Sequence, residues 1–310
     1  MNTLKISLAP LAYYWPREKS LQFYADAMTW PVDTIYLGEV VCSRRHQLRL
    51  ADWISIAKEC REAGKEVVLS TLTLIDSETD RRQMHKCIDA AYENGFIVEA
   101  NDFSAVRTIH GLGQKFIAGP HLNVYHEGTL SWLHSLGAQR FVPPVELPRD
   151  ELQVLQMHRP ENMQTEIQVW GRMALAYSSR CFTARRHRLR KDSCEFSCEQ
   201  YPDGLALKTR EHSDFLTING IQTQSAHCLD LGQHLPSIAK MGVDYIRIQP
   251  QSQDTAAVIE AFDVARRAKN ADHRVAEVDD AYLPPQAERS NGYWLGKAGM
   301  KWESIPIHAV

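Results

Sequence analysis

Four cysteines carry the chemistry most readily read from this chain: Cys42 alone near the N-terminus, and Cys181, Cys194 and Cys198 close together further on. Cys194 and Cys198 stand four apart, so one helical turn would place both sulfurs on the same side. Cys181 lies thirteen residues before Cys194, across an Arg-rich stretch long enough to fold back. Cys42 follows Thr34–Glu39, which reads as a strand running into a loop. Four thiolates gathered from loops make a sulfur site, for zinc or for an iron–sulfur cluster. The competing reading is a scatter of ordinary buried cysteines, since free Cys is among the most buried residue types.

Spacing leans toward the cluster. Zinc ribbons favour paired Cys-x₂-Cys units, and the chain has none; its Cys-x₁₂-Cys-x₃-Cys with a remote fourth ligand suits a cuboidal [4Fe–4S] group better. Such a group on four thiolates is anionic. Arg180, Arg185, Arg186, His187, Arg188, Arg190 and Lys191 surround the cysteines and offer compensating charge, or form a solvated basic loop. Cys60 and Cys87 fall in helical segments and read as core residues. Cys228, placed before a helix, rivals the four for a ligand position. Glu39, Glu99, Asn101, Asp102, Asn123, Glu146 and Gln249 sit at strand ends, where they line a pocket or cap loops and helices. Hydrolase and nucleotide signatures are poor: there is no Gly-x-Ser-x-Gly elbow, no second histidine after His126-Glu127, and no Walker loop.

The elements that must position these residues alternate along the chain. Candidate strands are Leu4–Leu8, Thr34–Leu37, Glu66–Leu72, Phe96–Glu99, Lys115–Ala118, Arg140–Val142, Glu166–Val169 and Tyr245–Ile248. Helical segments lie between and after them: Leu21–Met28, Gln47–Ala63, Glu78–Glu93, Phe103–His110, Gly128–Leu136, Arg149–Met157, Gly232–Met241 and Thr255–Lys269. Gly64, Gly95, Gly137 and Gly242 follow helices just before strands, as left-handed caps do. Eight such units predict an α/β fold, a (β/α)₈ TIM-like barrel, with a doubly wound open sheet as the alternative. The chain reads as one barrel domain over 1–310. A cysteine-bearing insertion over 174–231, with a hairpin near Leu205–Ile218, leaves the strand-seven position, and 272–310 forms a C-terminal extension. In a closed barrel the loops after strands two and seven share one rim, so Cys42 can meet the other three.

At 310 residues the chain fits one barrel of about 250 residues with additions. With 35 Lys and Arg against 38 Asp and Glu, its formal charge of −3 argues against generic nucleic-acid or membrane-surface binding. No apolar run approaches the roughly eighteen residues of a membrane span, and the N-terminus lacks a signal peptide. The expectation is a cytoplasmic protein, whose seven cysteines are ligands or core residues instead of disulfides.

Glu166, Gly171, Met173 and Cys181 follow the signature of the collagenase-like U-type peptidases, and Ala176-Tyr177-Ser178-Ser179-Arg180-Cys181 resembles the family's Ala-Tyr-Ser-Gly-Arg-Cys. Departures fall at Gln168, Arg172, Ala174 and Ser179. Ala174 replaces the first signature cysteine. Its loss together with a cysteine at 42 is similar to a branch of the family acting in ubiquinone biosynthesis, as is the tail Asn291-Gly292-Tyr293-Trp294. The resemblance covers essentially the whole chain. It implies a [4Fe–4S] cluster on Cys42, Cys181, Cys194 and Cys198, a heterodimer with a homologous sister protein, and oxygen-independent hydroxylation of a ubiquinone precursor with prephenate as oxygen source. Some relatives use a cysteine at the position of Cys228. The alternatives are a non-catalytic subunit that stabilises an active sister, and RNA-base hydroxylation as in related members. Peptidase activity is disfavoured by the lack of a nucleophile–base pair.

Overall fold

The computed structural model describes residues 4–268 and 275–304. From the N-terminus the chain runs β1 (Lys5–Leu8), α1 (Arg17–Ala27), β2 (Thr34–Leu37), α2 (Leu50–Glu62), β3 (Glu66–Ser70), α3 (Glu78–Glu93), β4 (Ile97–Ala100) and α4 (Phe103–Gly111). It continues through β5 (Phe116–Ala118), α5 (Glu127–Ser135), β6 (Ala138–Phe141), α6 (Arg149–Met157) and a long β7 (Gln164–Tyr177). Then come α7 (Phe182–Arg186), β8 (Leu205–Lys208), β9 (Asp214–Asn219), β10 (Gln222–Asp230), α8 (Leu235–Lys240), β11 (Tyr245–Ile248), α9 (Thr255–Arg267) and β12 (Arg289–Ser290).

Strands β1 to β7 pair in parallel and in sequence order, and β11 pairs in parallel with both β7 and β1. That double pairing closes a (β/α)₈ barrel and rules out the open sheet. The four expected helix-ending glycines have φ between 72° and 112°, at Gly95 and Gly137 respectively. Helix α1 begins at Arg17, four residues before the sequence expectation, because Pro16 at its N-cap has no N–H to leave unpaired. The expected end of the last helix, Lys269, lies outside the described residues, as does the start of the C-terminal extension.

The barrel strands present two different faces. Outward residues such as Ile6, Ile35, Leu69, Val98, Phe141 and Ile246 pack on the helices in one large apolar core. The inward face alternates with it, as a period of two requires, and is unusually polar. Glu166 sits fully buried with Arg247 Nε at 2.7 Å and Arg140 Nη1 at 3.4 Å from its oxygens, and accepts from the Ser7 and Tyr36 hydroxyls at 2.5 Å each. Arg247 Nη2 reaches Glu99 at 2.7 Å, and Arg140 Nη2 donates to both Glu66 oxygens at 3.0 Å. Each guanidinium also stacks on an aromatic ring, Arg140 on Tyr245 at 3.6 Å and Arg247 on Tyr36 at 4.2 Å. Burial by itself would raise the Glu166 carboxyl, but Arg247 and Arg140 hold it below the usual carboxylate range.

Beyond the barrel, β7 does not stop near Val169 as expected. It continues to Tyr177 and pairs antiparallel with β10, which pairs with β9 and that in turn with β8. The sequence-based hairpin corresponds to β8 and β9, while β10 was not foreseen. Its Gln-Thr-Gln-Ser stretch is polar because Gln222 lines the barrel-mouth cavity, Gln224 accepts from the Tyr13 hydroxyl at 3.3 Å and Ser225 accepts from Met173 N at 2.9 Å. Gly171 sits where β7 bends out of the barrel. Its φ is 110°, and a Cβ there would stand 2.5 Å from Gln249 Cβ, so only glycine lets the strand pass.

Candidate cofactor site and barrel mouth

Cys42 lies in the loop between β2 and α2, which a buried ion pair shapes. The Glu39 carboxylate accepts from the backbone N–H groups of Val41 (2.8 Å) and Cys42 (3.1 Å), and Arg45 Nη1 stands 3.7 Å from it. Arg45 also donates to Ala12 O and to Asn219 Oδ1, both at 2.6 Å, tying the loop to β9. Burial raises the Glu39 carboxyl, and Arg45 with the loop amides opposes that rise.

The other three cysteines come from the segment after β7. Cys181 is the N-cap of α7, and the Ala184 N–H donates to its Sγ at 3.4 Å. Cys194 and Cys198 are not joined by one helical turn, which corrects the sequence reading. Glu195 and Phe196 between them both have φ of 51°, a left-handed pair that breaks the turn into two short 3₁₀ pieces. The Phe196 ring is drawn inward against Tyr14 and His46, with centroids at 5.7 and 4.7 Å, and that packing sustains the unusual backbone. Lys191 pairs with Asp76 at 2.9 Å, Arg44 donates to Asp192 O at 2.6 Å, and Gln47 donates to Glu199 at 2.9 Å. These contacts strap the segment over the loops after β2 and β3.

The result is one small cavity of about 20 Å³ walled by Cys42, Cys181, Cys194 and Cys198, with Arg44, Arg45 and Lys191 beside them. Two loops far apart in sequence thus deliver all four sulfurs to one place. All seven cysteines are free thiols. Burial pushes the Cys42 thiol up to about 11 and raises that of Cys198, with Arg45 pulling both the other way. Among the described residues no three His, Cys, Asp or Glu side chains converge on a point that one ion could occupy. Four thiol donors, an N–H directed at Cys181 and two buried guanidinium nitrogens without partners, Arg44 Nε and Arg45 Nε, fit an anionic sulfur-ligated group.

Cys228 stands elsewhere. It lies within β10, ahead of the helical segment that follows as expected, fully buried in the main core, and its Sγ donates to Leu229 O at 3.4 Å. Cys60 is fully buried in that same core and Cys87 packs against it. Arg180, Arg185, Arg186, Arg188 and Arg190 do not line the cysteine cavity; Arg44, Arg45 and Lys191 do.

A second cavity, of about 100 Å³, opens at the C-terminal mouth of the barrel. Glu99, Asn101, Asn123, Glu146 and Gln249 line it, as strand-end residues can. Asp102 caps α4 instead, accepting from Ser104 N at 2.7 Å, and Glu39 shapes the Cys42 loop. Arg247, His121, Tyr177, Gln168 and Gln222 join this lining and were missed by sequence reasoning. The signal for Arg247 was present: a charge at an inward-alternating position in Tyr245-Ile246-Arg247-Ile248, as for Arg140 in its strand. A larger cavity of about 270 Å³ lies between α2 and α3, lined by Leu48, Trp53, Leu69 and Met84 together with Arg45, Arg49, Gln83 and Lys86.

A closed barrel with its polar cavity at the C-terminal mouth defines the class: a TIM-barrel protein whose rim carries a cysteine-walled pocket. The chain belongs to peptidase family U32, whose model matches residues 19–304. Among solved structures it is similar to the U32 peptidase Mk0906, at 11% identity over 82% of this chain and 95% of that one, with a TM-score of 0.44. It is also similar to tryptophan synthase from M. tuberculosis (9%, 84% and 87%, TM-score 0.45). A third is 3-hexulose-6-phosphate synthase from Salmonella typhimurium (13%, 87% and 96%, TM-score 0.42). No helix among the described residues is long and apolar enough to cross a membrane.

Proposed function

We propose that Cys42, Cys181, Cys194 and Cys198 hold a [4Fe–4S] cluster. In this reading the chain is a UbiV-like member of its family, acting in the cytoplasm with a homologous UbiU-like partner in oxygen-independent hydroxylation of ubiquinone precursors. The observation that carries the cofactor reading is the shared cavity: four free thiols from two separate loops wall one space beside Arg44, Arg45 and Lys191. A cuboidal group binds each thiolate through a different iron and so does not require all four sulfurs at about 2.3 Å from one point, as a zinc ion does; no such convergence occurs among the described residues.

When bound, such a cluster supplies one-electron chemistry at the rim of the barrel. The protein's own part is to hold and insulate it. Ala12, Val40, Val41 and Ile221 form an apolar floor on which Cys42 and Cys181 pack. Arg45 sets a buried positive charge against the sulfurs, and Glu39 fixes the loop that presents Cys42. The ubiquinone role rests on the cysteine pattern, with Cys42 present and Ala174 in place of the signature cysteine. Prephenate as oxygen donor comes with that resemblance.

Two measurements test the reading. Protein purified without oxygen should be brown with about four irons per chain, and Cys194→Ala should bleach it; colourless, zinc-loaded protein would replace the cluster with a zinc site. Quinone profiling of a deletion strain grown without oxygen should show ubiquinone lost, and unchanged ubiquinone would remove the functional assignment.

A further inference from the structure

One hydrogen-bonded chain runs from the cysteine cavity to the barrel mouth. Arg45 Nη2 donates to Asn219 Oδ1 at 2.6 Å, and Asn219 Nδ2 donates to Gln222 Oε1 at 2.9 Å. Gln222 Nε2 donates to the Tyr177 hydroxyl at 2.6 Å, and that hydroxyl lies 3.3 Å from His121 Nε2. Four elements supply it: the loop after β2, the β9–β10 turn, the end of β7 and the turn after β5. Asn219 and Gln222 are both buried, so each link is shielded from competing water.

The chemistry of the first residue sets the direction of every later bond. A guanidinium can only donate, so Asn219 must turn its oxygen to Arg45 and its nitrogen to Gln222. Gln222 then has its oxygen engaged and offers N–H to the tyrosine oxygen. Tyr177 accepts from Gln222 and also meets the Thr73 hydroxyl, whose hydrogen bond favours the charged phenolate and so donates to the tyrosine oxygen; the tyrosine proton is then left for His121 Nε2. An accepting Nε2 on a neutral imidazole leaves the ring proton on Nδ1. Burial and the nearby Arg247 lower His121 to about 4, so the ring is neutral at physiological pH. Among the described residues Nδ1 is paired with no protein acceptor, and His121 lines the mouth cavity.

We propose that the mouth cavity binds a small molecule through a carbonyl, carboxylate or enolate oxygen, and that His121 Nδ1–H is the neutral donor that receives it. Asn101, Asn123, Gln168 and Gln249 line the same cavity with amides, which suit an oxygen-rich ligand. Arg247 is already paired with Glu99 and Glu166, so the site has no free cation for a phosphate. Tyr177, Gln222 and Asn219 act through His121 as positioning residues. The inference does not depend on what the cysteine cavity holds, and it survives failure of the cluster or ubiquinone reading.

The test reads the tautomer directly. Long-range ¹H–¹⁵N correlation spectra of the full chain, labelled at its 13 histidines, give each ring's protonation pattern, and the His121 signals are those lost in His121→Ala. The expected result is a pyrrole-like Nδ1 and a pyridine-like Nε2 in the unmodified protein, with Tyr177→Phe mixing the two tautomers. A proton on Nε2 in the unmodified protein overturns the proposal whatever Tyr177→Phe shows. Pyruvate and benzoate are then titrated as probes. Either should shift Nδ1, with affinity weakened about tenfold or more in His121→Ala and recovered in His121→Gln, which keeps an N–H donor. No binding of either probe, or equal affinity in His121→Ala, would overturn the ligand class.

Discussion

Arg247 Nε lies 2.7 Å from Glu166 Oε1 in the middle of the barrel, joining β11 to β7 across the seam that closes the sheet. The same guanidinium reaches Glu99 on β4, on the far side of the interior. This salt-bridged layer lies beside the buried interior cluster of Tyr36, Val68, Ile117 and Val142, whereas most barrels of this kind are filled by branched aliphatic layers alone. A charge in that position is tolerated only because every partner is present. Arg247→Met should strand two buried carboxylates and cost roughly 3–5 kcal/mol, read as a fall in the urea midpoint. If the midpoint is unchanged, the network contributes nothing net.

The Cys42 loop depends on Glu39 in a way that differs from the cysteines themselves. Glu39→Ala removes the acceptor of two loop amides and leaves Arg45 buried without its carboxylate. Amide exchange over residues 40–45 should accelerate by at least about tenfold while the barrel strands keep their protection. Equal exchange in the variant and the parent would show that the strap from Lys191 and Arg44 holds the loop alone.

Acid should weaken the fold earlier than carboxylate titration alone would predict. His234 is buried, and burial, followed by Arg149, lowers it to about 4; His121 is lowered to about 4 as well. Above the ordinary histidine value near 6.5, folded and unfolded chains are both neutral there and nothing is lost. As pH falls below that value the unfolded chain takes up protons that the folded one refuses, until the folded pKa is passed. Each such histidine costs up to roughly 3 kcal/mol by pH 4. Glu166 then adds its own loss, because its folded pKa is depressed, whereas Glu39 and Asp230, whose carboxyls burial raises, partly offset it. The thermal midpoint should already decline between pH 6.5 and 5, and His234→Gln should flatten that decline; a parental profile flat to pH 5 would contradict it.

Gly171→Ala tests the bend in β7. With φ at 110° and a Cβ only 2.5 Å from Gln249 Cβ, alanine meets both backbone strain and a clash. A loss of roughly 2–4 kcal/mol is expected, with Gly64→Ala, whose added Cβ meets nothing within 4 Å, losing less. Equal losses at the two sites would mean that the positive φ alone matters.

Much of this architecture was legible in the residues because its causes are local. Alternating β-branched runs and amphipathic stretches, several closed by a glycine such as Gly64 or Gly242, depend on neighbours within a few positions, and all eight barrel strands were located that way. Cysteine at 42, 181, 194 and 198 was equally visible as residue type and spacing. Tertiary structure alone decided what these residues meet. Glu166 and Arg140 looked like a motif residue and a strand charge until the closed sheet set them 3.4 Å apart. The left-handed pair Glu195-Phe196 replaced the expected helical turn because the Phe196 ring found Tyr14 and His46, contacts 182 and 150 residues away along the chain (196 − 14 and 196 − 46). The line from Arg45 to His121 likewise crosses four separate elements, and hydrogen-bond direction is a property of assembled neighbours, which no linear pattern encodes.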